Sequence, residues 1–110
     1  MESSIIKTEE KINSQYVPLE EVFSSKGRIK ILKLLCKHKE MSVTQITNRT
    51  RLNHNTVLTH LQSLVKYGIL VEKKYGRIRI FALNTHSKLT LILMNFIKSW
   101  KNENYFVLQK

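Results

Sequence analysis

The stretch Leu52-Asn-His-Asn-Thr-Val-Leu-Thr-His-Leu61, continued by Gln62-Ser-Leu-Val-Lys-Tyr-Gly68, decides how the chain is read. Asn53 belongs to the residue types that cap helix N-termini, because its short side chain accepts from an otherwise unpaired backbone N–H. Val57, Leu61, Leu64 and Val65, with Leu58 alongside, return at helical spacing until Gly68 supplies a residue suited to a left-handed C-terminal turn. The spacing predicts a helix over about 53–67. Its remaining faces carry His54, Asn55, Thr56, Thr59, His60 and Ser63, which are short, polar and uncharged rather than Lys and Glu. Such side chains suit hydrogen bonding to base edges in the DNA major groove, where Asn pairs with adenine in bidentate fashion and a Thr methyl meets thymine.

The flanking sequence gives this helix its setting. Upstream, Met41-Ser-Val-Thr-Gln-Ile-Thr-Asn-Arg-Thr50 places Ser42 and Gln45 in a capping-box pattern, so a second short helix starts there with Val43 and Ile46 inward. Helix, tight turn, helix is the expected unit. Before it, Ser24-Ser-Lys-Gly27 marks a break. The run Arg28 to Cys36 then reads as a buried helix with a basic outer edge, apolar at 29, 32, 35 and 36 with 31 and 34 beside them. Pro18 is a good first-turn residue for a short helix through Leu19, Val22 and Phe23, preceded by an arm that is mobile or docks on a dimer. Downstream the period changes to two: Ile69 to Lys74, a turn at Tyr75-Gly76, and Arg77 to Leu83 read as a β-hairpin. Its tip is basic, with Lys73, Lys74, Arg77 and Arg79 around Tyr75. Ser87 to about Tyr105 reads as a long helix with Leu89, Ile92, Leu93, Phe96, Ile97 and Trp100 in one stripe, and Leu91 and Met94 outside it. A stripe this apolar exceeds what a small domain covers alone, so a second copy of the chain is expected to pack on it.

Composition narrows the chemistry. At 110 residues the chain is one domain, and 19 Lys plus Arg against 8 acidic residues give a formal charge of +11. Such a molecule attracts polyanions at long range, nucleic acid first and an anionic membrane surface second. No apolar run approaches the roughly 20 residues of a membrane span, and the expected location is cytoplasmic and nucleoid-associated. Cys36 is the sole cysteine, so an intramolecular disulfide is excluded; it reads as a buried small hydrophobe, with a bridge across a dimer axis left open. His54 and His60 do not share a helix face, and Cys36 and His38 diverge, so no metal site is expected. Asp is absent, and neither an acidic pair nor a Gly-rich phosphate loop stands out, so no enzyme activity or cofactor is expected. The sequence identifies no small-molecule effector, the aromatic stripe of the last helix fitting core or dimer packing better than a ligand pocket.

Taken in order, Arg28-Ile-Lys-Ile-Leu-Lys-Leu-Leu35, Ser42-Val-Thr-Gln-Ile46, Asn55-Thr-Val-Leu-Thr-His-Leu61, Tyr67-Gly-Ile-Leu70 and the basic hairpin resemble the winged helix-turn-helix of ArsR- and MarR-type transcriptional regulators. The likeness covers about residues 22–84 and is strongest to the small regulators of archaea and their viruses. It implies a mainly α architecture with a small β-hairpin (α+β) and a homodimer formed by helices outside the winged core. The family's reading positions fall on His54, Asn55, Thr56 and Thr59, and its wing on Lys73 to Arg79. Two departures stand out: the metal-sensing branch carries a Cys-x-Cys pair where this chain has none, and Arg51 stands where Gly is usual in the turn. The expected division is an arm (1–17), a winged helix-turn-helix (18–86) and a dimerisation helix (87–110). Base reading is assigned to His54, Asn55, Thr56, Thr59, His60 and Ser63. Phosphate contacts are assigned to Arg49, Arg51, Lys73, Lys74, Tyr75, Arg77 and Arg79, with Lys26 and Lys66 as further candidates. The function expected is sequence-specific double-stranded DNA binding by a homodimeric transcriptional regulator. Two other classes fit the same residues: a non-specific architectural chromatin protein and a winged-helix protein-interaction module.

Overall fold

The computed structural model describes residues 17–109, with side chains described through Asn102. The expected arm therefore lies outside the described residues except for Val17, which is half-buried against the core. The chain runs α1 (Leu19–Val22), α2 (Lys26–Lys37), β1 (Glu40–Ser42), α3 (Val43–Thr50), α4 (His54–Lys66), β2 (Leu70–Tyr75), β3 (Ile78–Leu83) and α5 (Lys88–Gln109).

Local chemistry places most of these boundaries. The Ser25 hydroxyl accepts from the Arg28 N–H at the head of α2. Ser42 and Gln45 close both halves of the capping box on α3, and Asn53 accepts from the Asn55 N–H on α4. Gly68, at φ 78°, ends α4, and Gly76, at φ 63°, closes the hairpin. The last helix runs four residues past its expected end at Tyr105.

The sheet corrects the expected two-stranded hairpin. Residues 40–42 form a strand that pairs antiparallel with β3, so the order is β1-β3-β2. Three residues are too few to show a period of two beside the capping signal at Ser42, and only pairing with β3 defines this strand. In β2 and β3, the partners Leu70/Leu83, Glu72/Phe81 and Lys74/Arg79 share the inner face, while Val71/Ala82, Lys73/Ile80 and Tyr75/Ile78 share the outer one.

Ile31, Leu32, Leu35, Ile46, Val57, Leu61, Leu64, Ile69, Leu70 and Phe81 form the centre of the core, each almost wholly inaccessible. The buried face of α2 differs from the expected one. It runs through Gly27, Arg28, Ile31, Leu32 and Leu35, with Ile29 and Cys36 only half-buried. Arg28 thus lies inside and does not belong to a basic outer edge, because its guanidinium finds internal acceptors. Gly27 is no break either: it sits in the first turn of α2, where an added Cβ would lie 3.0 Å from Leu52 and 3.3 Å from His60. It permits α2 to touch both the turn and the α4 helix.

Candidate nucleic-acid interface

Three residues, Arg51 to Asn53, separate α3 from α4. The buried Thr50 hydroxyl organises them, donating to the Ile46 carbonyl while accepting from the Leu52 N–H. Arg51 then adopts φ 60° and ψ 23°, a left-handed conformation that costs an L-residue roughly 1–2 kcal/mol. The departure from Gly noted in the sequence is therefore real and leaves the Arg51 side chain exposed at the turn.

With Val57, Leu61 and Leu64 in the core, the opposite face of α4 is exposed at Asn55, Thr59, Gln62 and Lys66. These positions, spaced i, i+4, i+7 and i+11, form one column. His54 and Thr56 are exposed beside it at the amino end, while Ser63 is half-buried at its edge. Gln62 is a base-reading type, able to pair with adenine like Asn, and sequence reasoning passed over it although its spacing from Asn55 could have found it. The Thr59 hydroxyl donates to the Asn55 carbonyl, which leaves its methyl and lone pairs outward.

His60 does not belong to this face. Its Nδ1 accepts from Arg28 Nε at 3.2 Å and its Nε2 lies 3.3 Å from the Ser25 hydroxyl, so the ring is held between α2 and α4. Burial, and secondarily the Arg28 charge, holds its pKa below the ordinary histidine value. The helical period alone put His60 outward; the close approach that Gly27 allows turned that flank inward.

The wing is less free than its sequence suggests. Arg79 lies on the inner face, makes two hydrogen bonds to the Glu72 carboxylate and sits 5.5 Å over the Phe81 ring. Those bonds hold the Glu72 carboxyl below the usual carboxylate range. Lys73 pairs with Glu40 of β1 at 2.6 Å, and that carboxylate raises the lysine pKa. Lys74 and Arg77 remain exposed with no hydrogen bond or ion pair among the described residues, and Tyr75 and Ile78 flank them, also exposed. A groove of about 460 Å³ separates the wing from the two helices, bounded by Thr44, His54, Leu58, Arg77 and Ile78. Arg49, in the last turn of α3, and Arg51, in the turn before α4, are both exposed.

On α5 the expected stripe divides in two. Leu93 is buried in its own protomer, and Met94 and Ile97 pack against the same core. Leu93 therefore leaves the expected interface set, whereas Ile97, like Met94, is half-buried and keeps part of its surface outward. Leu89, Ile92, Phe96 and Trp100 stay outward, 41%, 65%, 50% and 64% exposed. Phe96 bridges Phe23 of the α1 end and Trp100, with ring centroids 6.0 and 5.9 Å away, so the exposed face continues onto α1 at Leu19. Cys36 is half-buried, and burial raises its pKa, which favours the thiol over the thiolate. Among the described residues no three His, Cys or Glu side chains gather as a metal site, and no helix is long and apolar enough to cross a membrane.

A helix-turn-helix, a three-stranded sheet whose hairpin stands beside it, and a flanking helix define the winged helix-turn-helix fold. Comparison with known proteins agrees. Residues 25–72 match the family profile described as bacterial regulatory protein, arsR family. No curated protein sequence matches the chain. Among solved structures, HlyU from Vibrio cholerae N16961 is similar with a TM-score of 0.67 and 22% identity, over 83% of this chain and 96% of that one. The homodimeric winged helix-turn-helix DNA-binding domain of Mb0332 from Mycobacterium bovis, a possible ArsR-family regulator, gives 0.65 and 18%, over 89% and 84%. NadR in complex with 4-hydroxyphenylacetate gives 0.64 and 14%, over 97% and 79%. Both organisms named are bacteria, and the expected special likeness to archaeal and archaeal-virus regulators finds no support among these proteins.

Proposed function

We propose that the protein is a homodimeric transcriptional regulator that binds double-stranded DNA with sequence preference. The observation that carries this reading is the column Asn55, Thr59, Gln62 and Lys66 on a helix whose other side is anchored in the core, beside a wing that leaves Lys74 and Arg77 free. In the major groove, Asn55 and Gln62 read adenine edges, the Thr59 methyl meets thymine, and Lys66 reaches a guanine edge or phosphate. His54 and Thr56 enter the groove first. Arg49, Arg51, Lys74 and Arg77 bind phosphates and fix the register without carrying sequence information. A net charge of +11 supplies the salt-dependent attraction common to all sequences.

A second copy docks on the face made by Leu89, Ile92, Phe96 and Trp100, which places the two-fold axis at the terminal helices. Two reading helices related by that axis meet half-sites about one helical turn, roughly 34 Å, apart. The homodimeric Mb0332 domain supports this assembly. NadR, a neighbour in fold, binds 4-hydroxyphenylacetate, so a small-molecule ligand is compatible with this architecture.

Selection of bound duplexes from a randomised pool at about 0.15 M salt, together with the mass in solution, tests this function. Enrichment of a palindrome with half-sites one turn apart by a dimeric protein is the expected result. Tight binding without enrichment points to an architectural role. No duplex binding at all points to a protein-interaction module.

A further inference from the structure

Arg28 is 7% exposed, and no carboxylate pairs with it among the described residues. A buried guanidinium is retained only where its N–H groups find acceptors. Here it finds two on different helices: Nη1 donates to the Glu21 carbonyl in α1, and Nε donates to His60 Nδ1 in α4. Guanidinium only donates, so Nδ1 is the unprotonated nitrogen and the ring proton sits on Nε2, facing the Ser25 hydroxyl. That hydroxyl in turn accepts from the Arg28 N–H. The His60 ring is thus specified at both nitrogens.

We propose, building on the DNA-binding reading, that Arg28 and His60 are positioning residues: a strut that sets the recognition helix against α1, which adjoins the proposed dimer face, with His60 as its acid-labile joint. The α1 end is itself tied to the dimer face, since Phe23, just past its last turn, packs on Phe96. The strut therefore spans from the face that meets the second copy to the helix that meets DNA. Gly27 makes it possible by letting α2 approach Leu52 and the His60 ring together.

Protonation of His60 breaks the joint in a defined way. A proton on Nδ1 removes the acceptor that Arg28 Nε has among the described residues and sets two cations side by side. Of the groups around the ring, α2 and its cap supply Arg28, Gly27 and Ser25, and the turn supplies the apolar Leu52; among the described residues the Arg28 guanidinium is the charge that acts on it. The α1 helix reaches the joint through Arg28, whose Nη1 donates to the Glu21 carbonyl, and the Glu21 residue is itself exposed. Because the ring is harder to protonate when docked than when released, the docked arrangement has its full stability above about pH 6.5. It loses that stability as the pH falls below this value.

The experiment reads the ratio of affinities for the selected operator and an unrelated duplex between pH 7.5 and 5.5, in wild type, His60→Asn and Arg28→Met. His60→Asn keeps every other histidine, including His54 on the reading face, so the difference between its ratio and that of the wild type isolates His60. Asn keeps an acceptor at the δ position and does not titrate. Expected is a several-fold fall of the wild-type ratio in acid, no fall for His60→Asn, and a low ratio at every pH for Arg28→Met. A wild-type ratio that holds in acid, or an equal fall in His60→Asn, overturns the proposal. The ring nitrogens of His60 in the DNA-free protein, followed by 15N NMR, give a second readout that stands even where no duplex binds and the functional reading fails. The Nε2–H tautomer with coupled acid shifts in α1 and α4 upholds the strut; the Nδ1–H tautomer, or titration that leaves both helices unmoved, overturns it.

Discussion

Asn55 and His60 lie five positions apart on one helix and have opposite fates. Both are polar and both fall outside the strictest apolar positions, so sequence treats them alike. The difference is one flank of a helix: Asn55 heads the solvent column, while His60 faces a glycine that lets α2 come close. Asn55→Ala is expected to cost about 1–3 kcal/mol at the preferred operator and little on unrelated DNA, as competition binding with the two duplexes would show. Equal losses on both would remove Asn55 from base reading. Gln62, absent from the set read off the sequence, is expected to behave like Asn55 because it stands two turns further along the same column.

At the scale of elements, close approach governs α2 and ion pairing governs the wing. Gly27→Val improves side-chain packing area on paper yet forces its branches toward Leu52 and His60. A destabilisation of about 1–3 kcal/mol in urea unfolding is expected, whereas a mere helix-breaking glycine would give a gain on replacement. In the wing, Arg77 and Arg79 look equivalent in sequence, but Arg79 is spent on Glu72 and Phe81. Arg77→Ala is expected to weaken binding to all sequences and to lower the salt slope by about one unit. Arg79→Ala should instead lower stability with a smaller change in slope. Titrating affinity against salt for both variants separates the two roles, and identical slopes would place both arginines on phosphate.

For the whole molecule, the unresolved question in the sequence was which apolar residues serve the protomer and which its partner. The fold buries Leu93 in the core, packs Ile97 partly against it, and leaves Ile92 65% exposed on the face proposed to meet a second copy. Ile92→Glu is expected to leave the protomer folded and to convert a dimer into a monomer by sedimentation, with operator affinity falling at least tenfold because the second half-site is lost. A dimer that survives this change places the two-fold axis elsewhere.

Local signals in the sequence determined much of this protein. Caps at Ser42 and Asn53, glycines at 68 and 76, and the change of period after Gly68 were sufficient to mark α3, α4 and the hairpin, because each depends on backbone groups within a few residues. The same locality made the exposed column at Asn55 and Thr59 legible. What only the tertiary structure decided involves partners far along the chain. The strand at Glu40–Ser42 exists through pairing with β3, Arg28 is inside because His60 and Glu21 accept from it, and Arg79 is occupied by Glu72. A helical period fixes which residues share a face, but which neighbour that face meets, and how closely, depends on packing between segments that the period does not encode.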